Sequence, residues 1–257
     1  MVDIIDTLIE IANIAMYEYE DIKEEHKELS KKVSVGAYGH QSSLMDISVE
    51  NAVINYIKSE KLPFNIFTEE AGHIHRGFEK TLIMDPIDGS YNAEHGIPFF
   101  SVSLAVAKNS LSTVEAALVK NIPLNVNYWA LKGEGAYRDN KRIYTKGGSR
   151  LYIIYLGKNA SEQAYNVAKR GRRVRDLGSA SLEMITVAEG ISDLFFYSFK
   201  KGGALRIVDI AASTLIVREA GGVVLDDNFG KLDMKLDFTE RKNVIALAKD
   251  SYMEVFQ

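Results

Sequence analysis

The stretch that most constrains this chain is Thr81-Leu82-Ile83-Met84-Asp85-Pro86-Ile87-Asp88-Gly89-Ser90. Leu82, Ile83 and Met84 require burial, and a short apolar run closed by Pro86 and Gly89 reads as a core strand ending in a turn, not as a helix. Acidic side chains therefore emerge where a buried strand reaches the surface. Asp85 and Asp88 stand three apart across the turn, so their carboxylates can converge on one point, and oxygen-rich sites of that kind suit Mg²⁺. Gly89 exposes its amide with no side chain in the way; if Ser90 opens a helix, the Gly89 and Ser90 amides and the Ser90 hydroxyl can face an anion. The competing reading is a capped strand-to-helix turn in which Asp88 caps the helix and Asp85 is merely solvated.

At 257 residues with 46% apolar and 26% charged side chains, the chain is a folded globular protein of one large domain or two lobes. A net charge of -4 gives no broad electrostatic reason to expect nucleic acid. The absence of cysteine excludes disulfides, thiolate metal sites and cysteine nucleophiles, so any metal is held by Asp, Glu, His or backbone oxygen. With no basic-then-apolar leader and no unbroken apolar run of spanning length, a cytoplasmic protein with no membrane partner is expected.

Other acids stand at comparable places. Asn65-Ile66-Phe67-Thr68 is a second apolar strand running into Glu69 and Glu70, which point different ways, so that at most one faces a site directly. Leu205 to Val208 is again apolar and ends in Asp209, followed by a small-residue helix from Ile210 to Ala220 that stops at Gly221-Gly222. An N-cap explains Asp209 in isolation. Asp46 and Glu50 open a periodic segment with Val49, Val53, Tyr56 and Ile57; they either reach a cation held at the Asp85 turn or favour the helix N-terminus through its dipole.

An amphipathic first helix (Ile4, Leu8, Ile11, Ala15) precedes a Gly- and Ser-rich stretch, Lys31 to Ser43, that reads as a mobile loop. A largely antiparallel meander follows the Asp85 turn, through Ser101 to Val106, Thr113 to Val119 and a hairpin turning at Lys132 to Gly135. Trp129 reads as packing, and His73, His75 and His95 as loop histidines with weak claims to a site. A shift to Lys, Arg, Gly and Ser at Lys141 to Arg150 suggests a lobe boundary, dividing residues 1–140 from 141–257. Arg170, Arg172, Arg173 and Arg175 suit either a local anion or a solvated face. The acidic turn at Asp226 and Asp227 lacks the ligand rhythm of an EF-hand loop.

Taken together, Glu69-Glu70, Asp85-Pro86-Ile87-Asp88-Gly89-Ser90 and Val208-Asp209-Ile210-Ala211-Ala212 with Glu219-Ala220-Gly221-Gly222 resemble the signatures of the inositol monophosphatase and fructose-1,6-bisphosphatase superfamily. The likeness is to the archaeal branch that accepts both substrates, because Tyr91-Asn92-Ala93, Gly96-Ile97-Pro98 and Phe100 to Leu104 fit it too. The resemblance implies an α+β fold, a layered α-β-α-β-α sandwich with two or three Mg²⁺ ions between the lobes. It implies metal binding by Glu69, Asp85, the Ile87 carbonyl, Asp88 and Asp209, phosphate binding by the Gly89 and Ser90 amides, and catalytic assistance from Glu69, Asp46 and Ser90. Arg175, Ser179 and Arg206 become candidates for substrate contact, and a homodimer is implied. The activity implied is Mg²⁺-dependent hydrolysis of a sugar or inositol phosphomonoester. Alternatives are an NADP or nucleotide 3'-phosphatase of the same superfamily, or a non-catalytic sugar-phosphate-binding protein. The chain departs from the pattern at Tyr38, where the archaeal branch typically has aspartate, and at His40, in place of threonine, which would weaken a third metal site. It departs again from Phe196 to Gly203, where Tyr197-Ser198 and two lysines replace an acid that commonly reads sugar hydroxyls.

Overall fold

The computed structural model describes residues 4–25, 29–35 and 41–257. Among them the strands form two large sheets and one short ladder. The ladder pairs β1 (Lys32–Val35) with β2 (Gln41–Ser43), so the segment expected to be a mobile loop contains paired backbone on both sides of residues 36–40.

The first sheet has eight strands: β3 (Asn65–Thr68), β4 (Gly72–Ile74), β5 (Thr81–Asp88), β6 (Ser101–Ala107), β7 (Ala116–Asn121), β8 (Val126–Leu131), β9 (Gly135–Arg138) and β10 (Lys141–Ile143). Their order is β10-β9-β8-β7-β6-β5-β3-β4, and every pairing is antiparallel except β3 with β5. The second sheet has five strands, β11 (Leu151–Ile154), β12 (Arg173–Arg175), β13 (Leu194–Tyr197), β14 (Val223–Leu225) and β15 (Val244–Leu247), ordered β12-β11-β13-β15-β14. The helices are α1 (Ile4–Glu24), α2 (Leu44–Ser59), α3 (Ser90–Glu94), α4 (Glu162–Ala168), α5 (Ala180–Ala188) and α6 (Ile207–Glu219).

Alternation along the strands builds the layers. Side chains two apart share a face, so Ile66, Leu82, Met84, Leu104 and Leu118 pack against Leu8, Ile11 and Met16 of α1 and Met45, Val49 and Val53 of α2. Their strand neighbours Phe67, Ile83, Ala105, Ala117 and Val119 face the opposite way, onto α5 and α6. On the far side of those helices lie Ile153, Phe195, Val244 and Ala246 of the second sheet. That sheet's other face, with Tyr152, Ile154, Phe196 and Ile245, is covered by Ala164 and Val167 of α4 and by the C-terminal Met253 and Phe256. The result is the α-β-α-β-α sandwich.

The middle layer explains an otherwise odd helix. From Ile207 to Val217, α6 is buried all round, as a helix between two sheets must be. The sheet face it meets is rich in alanine, at Ala105, Ala107, Ala117 and Ala130, and α6 itself carries Ala211, Ala212 and Ser213. Small residues on both sides let the helix approach closely. One boundary differs from the sequence reading: Leu205 to Val208 is no strand, because α6 already begins at Ile207 and Asp209 lies inside its first turn. The ladder bridge of Leu205 to Lys242 is all that remains of the expected pairing.

Close packing in this layer makes it sensitive in both directions. Ile216→Ala is expected to cost about 2–5 kcal/mol through the cavity it leaves, and Ala117→Leu about 1–3 kcal/mol through overpacking. Urea unfolding of each variant measures both losses.

Candidate metal centre

Because β3 and β5 run parallel with Thr68 opposite Met84, the residues that follow, Glu69 and Asp85, come side by side, Glu69 just past the end of β3 and Asp85 still paired with Ser103 of β6. The pairing of β5 with β6 is broken between Asp85 and Asp88, where Pro86 has no N–H to offer, so the backbone turns out of the ladder at that point. From the middle layer, the first turn of α6 delivers Asp209. One carboxylate oxygen from each of Glu69, Asp85 and Asp209 lies within 4.8 Å of the others. Asp85 and Asp209 are buried. Burial pushes the Asp85 carboxyl well above the usual carboxylate range, and the charges of Glu69, Asp88 and Asp209 push it further, against the pull of Arg206. Such a donor set, hard oxygens in mutual repulsion, fits a hard divalent cation.

Asp46, Glu69, Glu70, Asp85, Pro86, Ile87 and Ser90 line a small cavity of about 50 Å³. It is large enough for an ion or a water and little more. Four of the residues expected from the turn and its neighbours, Asp46, Glu69, Asp85 and Ser90, thus share one space with Ile87. Ser90 Oγ donates to the Ile87 carbonyl at 2.9 Å, and the Ile87 N–H donates to Asp85 Oδ1 at 3.1 Å. Asp46 accepts from the Ser43 hydroxyl at 2.7 Å, while Ser43 caps α2 through the Asp46 amide.

Asp88 does different work. Its carboxylate accepts from Ser179 Oγ at 2.6 Å, from the Ser181 amide at 2.8 Å, from the Ala180 amide at 3.2 Å and from Ser181 Oγ. It therefore ties the Asp85 turn to the start of α5. Burial raises its pKa to about 6 even though these donors favour the charged form. Ser179, expected at the substrate, is fully buried and holds Asp88. Gly89 sits between the two at φ 95°, where an added Cβ would lie 3.0 Å from the Gly178 carbonyl oxygen and 3.2 Å from Ser179 Cβ. Only glycine combines that dihedral with that approach.

Two buried glutamates shape the flanking backbone. Glu50 accepts from Thr68 Oγ1 at 2.7 Å and from the Glu70 and Ala71 amides at 2.9 and 2.6 Å, which settles its role as the anchor of the turn after β3. Glu183 accepts from the Leu177 and Gly178 amides just before Ser179. The sequence reading missed Glu183 and Ser181; an acid between Leu182 and Met184 in a buried helix was the available signal. Glu219, named there only as part of a signature, is an anchor: its carboxylate takes the Gly133 and Gly135 amides at 2.8 and 2.9 Å and clamps the β8–β9 hairpin to α6.

Arg206 joins the acids. Its Nη1 donates to Glu69 Oε1 at 2.5 Å and its Nη2 to Asp209 Oδ1 at 2.8 Å, while its backbone amide donates to Asp209 Oδ2 at 2.7 Å. Burial works against the guanidinium charge, but Asp209 and Glu69 outweigh it and push its pKa up. Arg175 is exposed and its guanidinium donates to the Val174 carbonyl. Tyr38 and His40 lie outside the described residues. The pair His73 and His75, rings 3.7 Å apart, runs back along β3 away from Glu69 and lines an open cleft of about 720 Å³ near Asn65 and Thr81. That cleft is the larger, but the converging oxygens are in the small one. His95 packs on Tyr91 and its Nδ1 meets the Tyr91 carbonyl.

Residues 4–255 match the model of the inositol monophosphatase family. The chain is 36% identical over 230 residues to a fructose-1,6-bisphosphatase/inositol-1-monophosphatase of Methanothermobacter thermautotrophicus, covering 83% of this chain and 81% of that protein. It is 33% identical to part of a bifunctional NADP phosphatase/NAD kinase of Methanococcus maripaludis, over 83% of this chain and 42% of the relative. A crystal structure described as an inositol monophosphatase-fructose 1,6 bisphosphatase superposes with a TM-score of 0.85 at 30% identity, covering 99% of this chain and 98% of the other.

Burial raises the pKa of Glu183 from 4.5 to about 8. The folded chain then keeps a proton that the unfolded chain releases, so this residue's contribution to stability declines as pH rises from about 4.5 to about 8. Glu183→Gln, whose carbonyl still receives the Leu177 and Gly178 amides, is expected to flatten the fall in melting temperature over that range. Glu183→Ala strands both amides and is expected to cost about 1–3 kcal/mol at every pH. Thermal melts from pH 5 to 8 on the three proteins separate the effects.

Proposed function

The chain belongs to the inositol monophosphatase family, and on that premise we propose that it hydrolyses a sugar or inositol phosphomonoester with Mg²⁺ and water. Fructose 1,6-bisphosphate and inositol monophosphate are the substrates proposed. The observation that carries this is the convergence of Glu69, Asp85 and Asp209 within 4.8 Å. They do so beside a cavity that Asp46, Ile87 and Ser90 also line. Glu69, Asp85, Asp209, the Ile87 carbonyl and Asp88 Oδ1, which among the described residues accepts only the Ala180 amide at 3.2 Å, would hold two or three Mg²⁺ ions, whose chemistry is to acidify a water and offset charge on the phosphoryl group.

The remaining parts of the reaction fall to the chain itself. Ser90 Oγ spends its proton on the Ile87 carbonyl and so presents lone pairs to a water, orienting it. Asp46, held by Ser43 and lining the same cavity, would accept a proton there. The Gly89 and Ser90 amides begin a single helical turn that has no internal acceptors for them, and they serve as donors to phosphoryl oxygens. Ser179 and Ser181 fix Asp88, and the exposed Arg175 is proposed as one cation for the substrate. No covalent intermediate is needed. A homodimer is proposed on the family likeness alone. Among the described residues no helix is long and apolar enough to cross a membrane.

A second reading, NADP as substrate, draws on one feature. Tyr155 stacks on Tyr197 at 4.7 Å and leans on Phe199 at 5.2 Å, a half-buried aromatic group whose Tyr197 hydroxyl is pushed up by burial and by neighbouring charges that include Asp209. Aromatic faces near a phosphatase centre suit a nucleobase.

Phosphate release from fructose 1,6-bisphosphate, inositol 1-phosphate and NADP, with and without Mg²⁺, tests both readings. Turnover is expected only with the metal, and Asp209→Asn is expected to lower kcat/KM by roughly a thousandfold, the size of effect that several kcal/mol of lost charge stabilisation produces. Absence of turnover on all three substrates across a range of divalent metals would falsify the phosphatase reading.

A further inference from the structure

The acids that converge as a metal centre already hold a cation belonging to the chain. Arg206 stands at the entrance to α6, three residues before Asp209, and its backbone amide suffices to cap that turn. The guanidinium does more than capping requires. One arm takes Asp209 and the other crosses from the middle layer to Glu69 of the first sheet, 137 residues away in the chain. Side-chain exposure of 15% for Arg206, 22% for Glu69 and 11% for Asp209 keeps water from screening these pairs fully. Two of the three converging carboxylates are thus neutralised by a planar fork anchored on the same helical turn.

A divalent ion needs those same oxygens, and a guanidinium at hydrogen-bond distance from them would repel it. The Glu69 and Asp209 oxygens that the guanidinium engages belong to the cluster lying within 4.8 Å, so the fork and an ion call on the same atoms. We propose that Arg206 is a tethered competitor for the metal: guanidinium and divalent ion take Glu69 and Asp209 in turn, and metal entry swings Arg206 out of the cluster. The device keeps the acids from repelling one another when no ion is bound, and it sets the metal affinity below what the bare carboxylates would give. It also orders events, because the fork becomes available to a phosphate only after the metal has displaced it. This rests on the metal-centre reading given above.

Calorimetric titration of the EDTA-treated, dialysed full chain with MgCl₂ tests it, alongside Arg206→Gln and Arg206→Lys. Arg206→Gln is expected to lower the Mg²⁺ dissociation constant by about tenfold or more, the equivalent of one strong charged contact removed from competition. It should also lower the melting temperature in EDTA and show a larger Mg²⁺-induced rise than the unsubstituted protein. Arg206→Lys, which keeps the charge but loses the fork, should fall between. In the unsubstituted protein, the Arg206 Nε–H resonance in a ¹⁵N spectrum should move or broaden in step with calorimetric saturation, a readout that stands even where Arg206→Gln does not fold. Mg²⁺ binding no tighter in Arg206→Gln than in the unsubstituted protein, or an Nε–H signal that saturation leaves unchanged, overturns the competition while leaving the metal centre standing. No binding of Mg²⁺ or Mn²⁺ by any of the three proteins overturns both.

Discussion

Carboxylates brought together in a protein interior repel one another, and this molecule has to answer that repulsion before it can do anything else. Glu69, Asp85 and Asp209 place oxygens within 4.8 Å, with Asp85 buried and its carboxyl pushed above the usual range by that burial and by its acidic neighbours. An unpaired buried charge is too costly to persist, so each acid must find a donor, a proton or a cation. Every answer is present around this centre. Asp88 is met by hydroxyls and amides at the start of α5, Glu50 and Glu183 by backbone amides, and Glu69 with Asp209 by Arg206. The differences matter: donors that belong to the backbone are permanent, whereas a guanidinium on a long side chain can leave.

The fold exists, in functional terms, to hold those answers in register. The parallel pairing of β3 and β5 sets Glu69 beside Asp85, and the broken ladder after Asp85 frees the turn to carry Asp88 and Gly89 outward. Neither sheet could supply Asp209 or the serines. They come from α5 and α6, the layer shared by both sheets, which reaches the first sheet closely because both faces carry small residues. Packing density in that layer and geometry at the centre are therefore the same property. Glu219, gripping the β8–β9 hairpin from the far end of α6, keeps the helix from sliding along the sheet.

Much of this could be read from residue order alone. An apolar run that stops at carboxylates, proline and glycine marks the end of a buried strand, and its period of two assigns Leu82 and Met84 to one layer and Ile83 to the other. These are local facts, governed by backbone sterics and the need to bury apolar side chains, so the acid-ended turn at Asp85 and Asp88 and the acids after β3 were within reach, whereas the five-layer arrangement came only from the family resemblance. Gly89 belongs with them, since φ 95° is a demand the turn makes on its own sequence.

Partnership between distant groups was not within reach, because hydrogen bonds of long side chains depend on distances that no local rule carries. Ser179 was a candidate for substrate contact, yet the packing of α5 buries it against Asp88. Arg206 reads as a hand for a substrate phosphate, yet the middle layer brings it to Glu69 across 137 residues. The acid-ended strands β3 and β5 follow from the order of residues. Which of those acids are held by serines, by amides or by a displaceable arginine was decided by the packing of α5 and α6 between the sheets, where contacts are set by shape and not by sequence distance.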